Sequence, residues 1–188
     1  CFFSSSVEFN NSLILNNESA TGGISLYDQS SLVMVSSNVL GNISTQDDEG
    51  GGIHLYDDSD VNIVSTIIRN NLPFEININD DNNSISVDYS NVLGGESGIH
   101  INENFQNQEI VWGTNNIDSN PLFCNPDSGD YTLAENSPCV GTGENGANMG
   151  ALDVGCGPYN FSPTEFSLST PSNNAQITID DSNMNDGF

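Results

Sequence analysis

Apolar residues separated by single polar ones recur along this chain at nearly constant spacing, and they line up in columns. Each repeat can be set at an apolar residue p, with apolar partners at p+2 and p+7. Five rungs result: Val7, Phe9, Ile14; Leu32, Met34, Val39; Val61, Ile63, Ile68; Ile85, Val87, Val92; and Ile110, Trp112, Ile117. Their steps are 25, 29, 24 and 25 residues. Two positions not used to set the register test it. At p+5 stand Ser12, Ser37, Thr66, Ser90 and Asn115, all small hydrogen-bonding residues. At p+10 stand Asn17, Asn42, Asn71, Gly95 and Asn120. Asn tolerates the left-handed backbone of a tight corner, and stacked amides can bond along a pile.

A second set of pairs lies between these: Ile24/Leu26, Ile53/Leu55, Ile76/Ile78, Ile99/Ile101 and Leu122/Cys124. Each alternates apolar with polar, as a strand does when one face is buried. Short strands repeating every two dozen residues or so, with no hairpin signals between them, predict an all-β parallel solenoid of about five to six rungs. One rung cannot bury its apolar face alone, whereas a stack can. Right-handed coiling is the expected sense, because crossovers between parallel strands almost always turn that way.

Composition narrows what such a solenoid can do. The chain of 188 residues carries 26 acidic residues against a single Arg69 and no Lys, a formal net charge of −25. Binding to a phosphate backbone needs Lys and Arg to release counterions, so nucleic acid is excluded as a partner. An anionic membrane surface would repel the chain, and no stretch approaches the roughly 20 apolar residues of a membrane helix. The acid excess leans towards a saline, marine prokaryotic setting, where salt screens the self-repulsion.

The pattern changes after Asn120. Pro121-Leu122-Phe123-Cys124, then Gly129-Asp130-Tyr131-Thr132-Leu133, Ser137-Pro138 and Met149-Gly150-Ala151 follow. Residues 121–152 resemble the terminal segment of pectate-lyase-like right-handed β-helix domains in large bacterial secreted and surface proteins. The Gly-Gly-Ile words at Gly22 and Gly51 extend that resemblance over nearly 1–157. It implies rungs over 1–120 and a closing segment over 121–157 that shields the open end of the helix. It also implies a secreted or cell-surface location, with further domains on both sides. From Pro158 the text is linker-like. Phe166–Pro171 and Ile177–Asp180 read as strands similar to the entry of a fibronectin type III or immunoglobulin-like module, too short here to fold as one. Cys124, Cys139 and Cys156 fall in the closing segment, where one disulfide is expected among the three, with the pairing open. Cys1 lies too many rungs away to join them.

Pectate lyases of this fold bind Ca²⁺ through carboxylates and use a basic residue as proton acceptor. Here Arg69 is the single Arg and sits at p+8 beside a corner, and no acidic pair adjoins a His-Gly word. The expectation is therefore a non-catalytic spacer, adhesin or glycan-binding scaffold. The alternative is a fragment of a polysaccharide lyase or hydrolase whose catalytic rungs lie upstream. Two polar strips are candidates for binding. Tyr27, His54, Tyr56, Asn77, Asn79, His100 and Asn102 fall on the outward positions of the second strand set. Rings stack on sugar faces and amides bond hydroxyls, so this strip suits a polysaccharide or cell-surface glycan; an ordinary solvated sheet would carry the same residue types. Asp28, Asp57, Asp80 and Glu103 form an acidic column one corner further on, with Asp58, Asp60 and Asp81 nearby. Oxygen ligands on a turn suit Ca²⁺, although no EF-hand or calcium-binding nonapeptide is present and salt alone could screen the column.

Overall fold

The computed structural model describes residues 2–46, 49–105 and 107–160. The chain coils as a parallel β-solenoid of about six turns, and no α-helix occurs among the described residues. Three sheets wrap one core. Face 1 stacks Phe2–Phe3, Ile24–Tyr27, Ile53–Leu55, Ile76–Ile78 and Ile99–Ile101. Face 2 stacks Ser6–Asn10, Ser31–Val35, Asp60–Val64, Ser84–Asp88 and Glu109–Trp112. Face 3 stacks Leu13–Leu15, Asn38–Leu40, Ile67–Arg69 and Asn91–Val92.

The register is that of the apolar columns. Val7, Leu32, Val61, Ile85 and Ile110 are successive partners on face 2, as are Phe9, Met34, Ile63, Val87 and Trp112. Ile14, Val39, Ile68 and Val92 do the same on face 3. These side chains fill one continuous interior, and Leu32, Met34, Ile53, Leu55, Ile63, Ile76 and Ile78 are essentially inaccessible to solvent. A one-residue slip would turn each such strand inside out, so burial fixes the pairing.

Corners are made by a column of left-handed residues at Asn11, Ser36, Ser65 and Tyr89. In the last rung that residue is Asn115, one place later than the repeat predicts. The cause lies at Asp88. Its carboxylate accepts the Thr114 N–H at 2.9 Å and fills the space where any side chain at position 113 would begin, so Gly113 passes as an extra residue. The hydroxyl column shifts with it. Ser12 N–H donates to Ser37 Oγ, Ser37 N–H to Thr66 Oγ1, Thr66 N–H to Ser90 Oγ, and Ser90 N–H to Asn116 Oδ1. Asn116 therefore takes the position expected of Asn115, and Ile117 pairs with Asn91 rather than Val92.

The Asn column also differs in its role. Left-handed backbone falls on the residue before it, at Asn16, Gly41, Asn70 and Gly94, and the asparagines form a buried amide ladder instead. Asn17 donates from Nδ2 to Asn42 Oδ1 at 2.8 Å, Asn42 to Asn71 Oδ1 at 2.9 Å, and Asn71 to Glu75 Oε2 at 2.6 Å. Glu75 ends the ladder where Gly95 offers no amide. Burial pushes its carboxyl above the usual range, against the pull of its Asn71 hydrogen bonds.

The closing segment departs from expectation most. Leu122 and Cys124 do not extend face 1. Phe123–Asn125 instead pairs antiparallel with Asp130–Ala134, which runs parallel to Val154–Cys156. Cys124 and Cys156 form a disulfide, and Cys139 is free and buried. The segment does not cover the end of the helix but lies along face 3. Leu133, Cys139 and Met149 pack on Leu40 and Ile67, outward residues of that face. Gly150 N–H donates to Ser65 O at 2.7 Å, Ala151 N–H to Asn38 Oδ1 at 3.1 Å, and Asn91 Nδ2 to Cys139 Sγ at 3.2 Å. No described strand pairs with the outer edge of Ile99–Ile101, and Ile101 is 36% exposed where its column mates Leu55 and Ile78 are fully buried. Cys1 and the strands expected within 166–180 lie outside the described residues.

Candidate functional site

Face 1 carries two outward columns. The first, Ser25, His54, Asn77 and His100, follows the strand register. It is not the solvated strip that alternation predicts: Ser25, His54 and Asn77 are buried, and His100 is half-buried. The cover comes from segments preceding the strands. In the 29-residue step, residues 49–52 fold back over the sheet, and Gly50 N–H donates to His54 Nδ1 at 2.8 Å. A Cβ on Gly50 would come within 3.0 Å of Asn77 Cβ, so only glycine allows this approach. Glu49 Oε2 lies 3.0 Å from His54 Nε2. With Nδ1 accepting, the ring is neutral and carries its proton on Nε2. Burial lowers its pKa to about 4. Phe74 stacks on His100 with ring centroids 3.7 Å apart, and His100 Nδ1 lies 2.8 Å from Asn77 Oδ1.

The second column, Tyr27, Tyr56, Asn79 and Asn102, lies nearer the surface, with Asn79 buried and the other three half-buried. Tyr27 stacks on Phe3 at 5.1 Å and on Tyr56 at 5.4 Å, making a short aromatic pile. From there the amides continue as a directed chain. Asn104 Nδ2 donates to Asn102 Oδ1 at 2.9 Å, Asn102 Nδ2 to Asn79 Oδ1 at 2.7 Å, and Asn79 Nδ2 to the Tyr56 hydroxyl at 2.7 Å. The phenol oxygen accepts at the end of this relay, and its own O–H remains a donor.

Together these residues shape an open cleft of about 580 Å³ lined by Gln46, Glu49, Tyr56, Asn79, Asn102, Asn104 and Phe105. Tyr56 and Tyr27 both titrate above an ordinary phenol, chiefly because of burial and secondly because of the Glu49 carboxylate. Of the seven residues proposed from the sequence, Tyr56, Asn79 and Asn102 line the cleft. Tyr27 continues the aromatic pile, and His54, Asn77 and His100 lie beneath covering segments and do not line the cleft. Gln46, Glu49, Asn104 and Phe105 were not legible as site residues. The one signal for Glu49 is the long 29-residue step, which marks an insertion with somewhere to fold.

The acidic column forms a separate groove of about 550 Å³ that brings Asp28, Asp57, Asp58, Asp80 and Asp81 together. Glu103 does not join them and lies beside Ile101, Gln108 and Ile110. Several of these carboxylates serve the backbone: Asp80 Oδ2 accepts Asp57 N–H at 2.7 Å, and Asp81 Oδ1 accepts Asn107 N–H at 2.9 Å. Burial, then Asp80 and Asp28, hold Asp57 above the usual carboxylate range. Among the described residues, no three His, Cys, Asp or Glu side chains are arranged to hold a metal ion. Arg69 is far from either groove, on face 3. Its Nη1 donates to Asn91 Oδ1 at 2.8 Å and to Asp118 Oδ1 at 2.7 Å, and its side chain is 12% exposed, so it serves as a strut between rungs.

Comparison with protein families, curated proteins and solved structures finds no match for this chain.

Proposed function

We propose that this chain is a non-catalytic glycan-binding module of a secreted or cell-surface protein, a solenoid scaffold related in design to pectate-lyase-like β-helix domains. The observation that carries the proposal is the face 1 cleft. It offers the Tyr27–Tyr56 ring pile, the Tyr56 hydroxyl and a line of amides, arranged along the solenoid axis. Adjacent rungs stand about 4.8 Å apart, close to the repeat of an extended pyranose chain. Tyr56, Asn79 and Asn102 therefore present functional groups at the spacing of successive sugars. The free hydroxyls of a glycan need both donors and acceptors, which amides supply without charge.

Binding without cleavage is favoured by the chemistry present. The sole guanidinium is committed to Asp118 and Asn91, and His54 is sealed beneath the cleft. A glycan array read with and without calcium tests the proposal, paired with incubation in acidic polysaccharides assayed for new reducing ends. Binding that falls in Tyr56→Ala, with no new ends, is the expected result. Absence of binding across the array, or release of new ends, defeats it.

A further inference from the structure

With no reliance on the glycan assignment, we infer that the outer edge of Ile99–Ile101 receives an extended peptide strand from a basic partner protein, one whose apolar residues alternate with Lys or Arg. The hydrogen bonds of face 1 show what this edge offers. On successive rungs the carbonyl of the second apolar residue accepts an N–H from the next rung: Leu26 O from Tyr56 at 3.0 Å, Leu55 O from Asn79 at 3.2 Å, and Ile78 O from Asn102 at 3.1 Å. Ile101 O is next in this series, and no described strand stands beyond it to donate. In a parallel ladder the N–H and C=O of one residue point to the same neighbour, so the Ile101 N–H faces the same edge. The side chain agrees: Ile101 is 36% exposed, although Leu55 and Ile78 in its column are fully buried. It opens into a groove of about 480 Å³ that Phe105, Gln108 and Ile110 also line, so an apolar floor continues round the corner towards face 2. One added strand completes such an edge, its main chain supplying hydrogen bonds and its alternate side chains filling the floor.

Charge selects among strands. The chain sets 26 acidic residues against one Arg, and that Arg69 is paired with Asp118 on face 3. Glu103 lines the groove, and Glu109 begins the adjoining strand of face 2. A strand arriving here meets a field of one sign, which attracts a cationic segment and repels an acidic one. A second copy of this chain brings the same net charge of −25. The chain's own Ile177-Thr178-Ile179 has the required alternation but carries Asp180 and Asp181 directly after it. A basic partner meets both the apolar and the electrostatic requirement.

Titration of the full chain with three short synthetic peptides, read by amide shifts and hydrogen exchange, tests the inference. One peptide alternates Val with Lys, the second alternates Val with Glu, and the third is the first N-methylated on its Lys residues, which removes the donors that meet the edge but keeps the charge. The Val-Lys peptide should shift the amides of Ile99, Ile101 and Ile110 and slow exchange at Ile101 about tenfold at saturation. It should bind about tenfold more tightly than the Val-Glu peptide at low salt, with the gap narrowing as salt screens the charge. Ile101→Lys, which sets a like charge on the edge, should abolish binding. Val154→Lys, which adds the same charge at an exposed position of the closing segment, should preserve it. Equal binding of the N-methylated peptide overturns the inference, because charge alone then suffices. So does a Val-Glu peptide that binds as tightly, an equal loss in both variants, or no binding by any of the three. An Ile101 amide already protected in the free chain also overturns it, because the chain itself or a second copy then occupies the edge. If Ile101→Lys does not fold, the three peptides and the exchange of the free chain decide. The array decides separately whether the face 1 cleft binds a glycan.

Discussion

Asn42 is the residue on which the corner ladder turns, and replacing it by Ala gives a calculable result. The side chain is fully buried and makes four hydrogen bonds: Oδ1 accepts Asn17 N–H at 3.0 Å and Asn17 Nδ2 at 2.8 Å, while Nδ2 donates to Ile14 O at 3.0 Å and Asn71 Oδ1 at 2.9 Å. Net values near 1 kcal/mol per bond, with backbone groups left short of partners, put Asn42→Ala at about 3–4 kcal/mol. Asn17→Ala loses only the one amide bond at the exposed end of the ladder and should cost about 1 kcal/mol. Asn42→Asp keeps the shape but cannot donate, so its charge faces Ile14 O and Asn71 Oδ1. It should be less stable at neutral pH than after protonation. Urea unfolding reads all three as midpoint shifts at constant slope. The ladder is not a stabilising device if Asn42→Ala costs no more than Asn17→Ala.

Further outcomes follow from the other buried or charged groups. The His54 pKa is lowered to about 4, so the unfolded chain binds more protons than the native one between about 6.5 and 4. Stability should fall as pH drops through that window, by roughly 3 kcal/mol at most, with the nearby Glu49 carboxylate reducing the loss. Comparing the slope with that of His54→Gln isolates this contribution, and identical slopes contradict it. Breaking the Cys124–Cys156 link, which spans 32 residues, with Cys124→Ser should destabilise the closing sheet by about 3–4 kcal/mol on chain-entropy grounds. Hydrogen exchange should then quicken at Leu133 and Ala134 before Ile53 or Ile76, and simultaneous loss would show one cooperative unit instead. In the acidic groove, Asp57→Asn should raise the melting temperature at low salt and lose its advantage in high NaCl. CaCl₂ at matched ionic strength should add nothing beyond NaCl; a specific rise would reveal a calcium site.

The strand columns were legible because two physical periods coincide. Side chains alternate with period two within a strand, and identical environments recur at each rung, so Leu32, Val61 and Ile85 are forced into one kind of residue. What broke the repeat was local and chemical. The Asp88 carboxylate at Gly113 moved the last corner by one residue, and no periodicity could announce it. Alternation correctly placed His54 and Asn77 on the outer side of face 1 but could not show that Glu49 and Gly50 fold over them. The lateral position of the closing segment was equally hidden. Leu40, Ile67 and Met149 are unremarkable apolar residues, and only their packing shows that face 3 rather than the end of the helix is what they cover.

Binding at the face 1 cleft is tested most directly by mapping amide shifts as a glycan found on the array is titrated into labelled protein. Shifts gathered at Gln46, Tyr56, Asn79, Asn102 and Asn104, and abolished by Tyr56→Ala, are the predicted result. Shifts gathered instead at Asp58 and Asp81, or about Tyr131 on the closing segment, would contradict it.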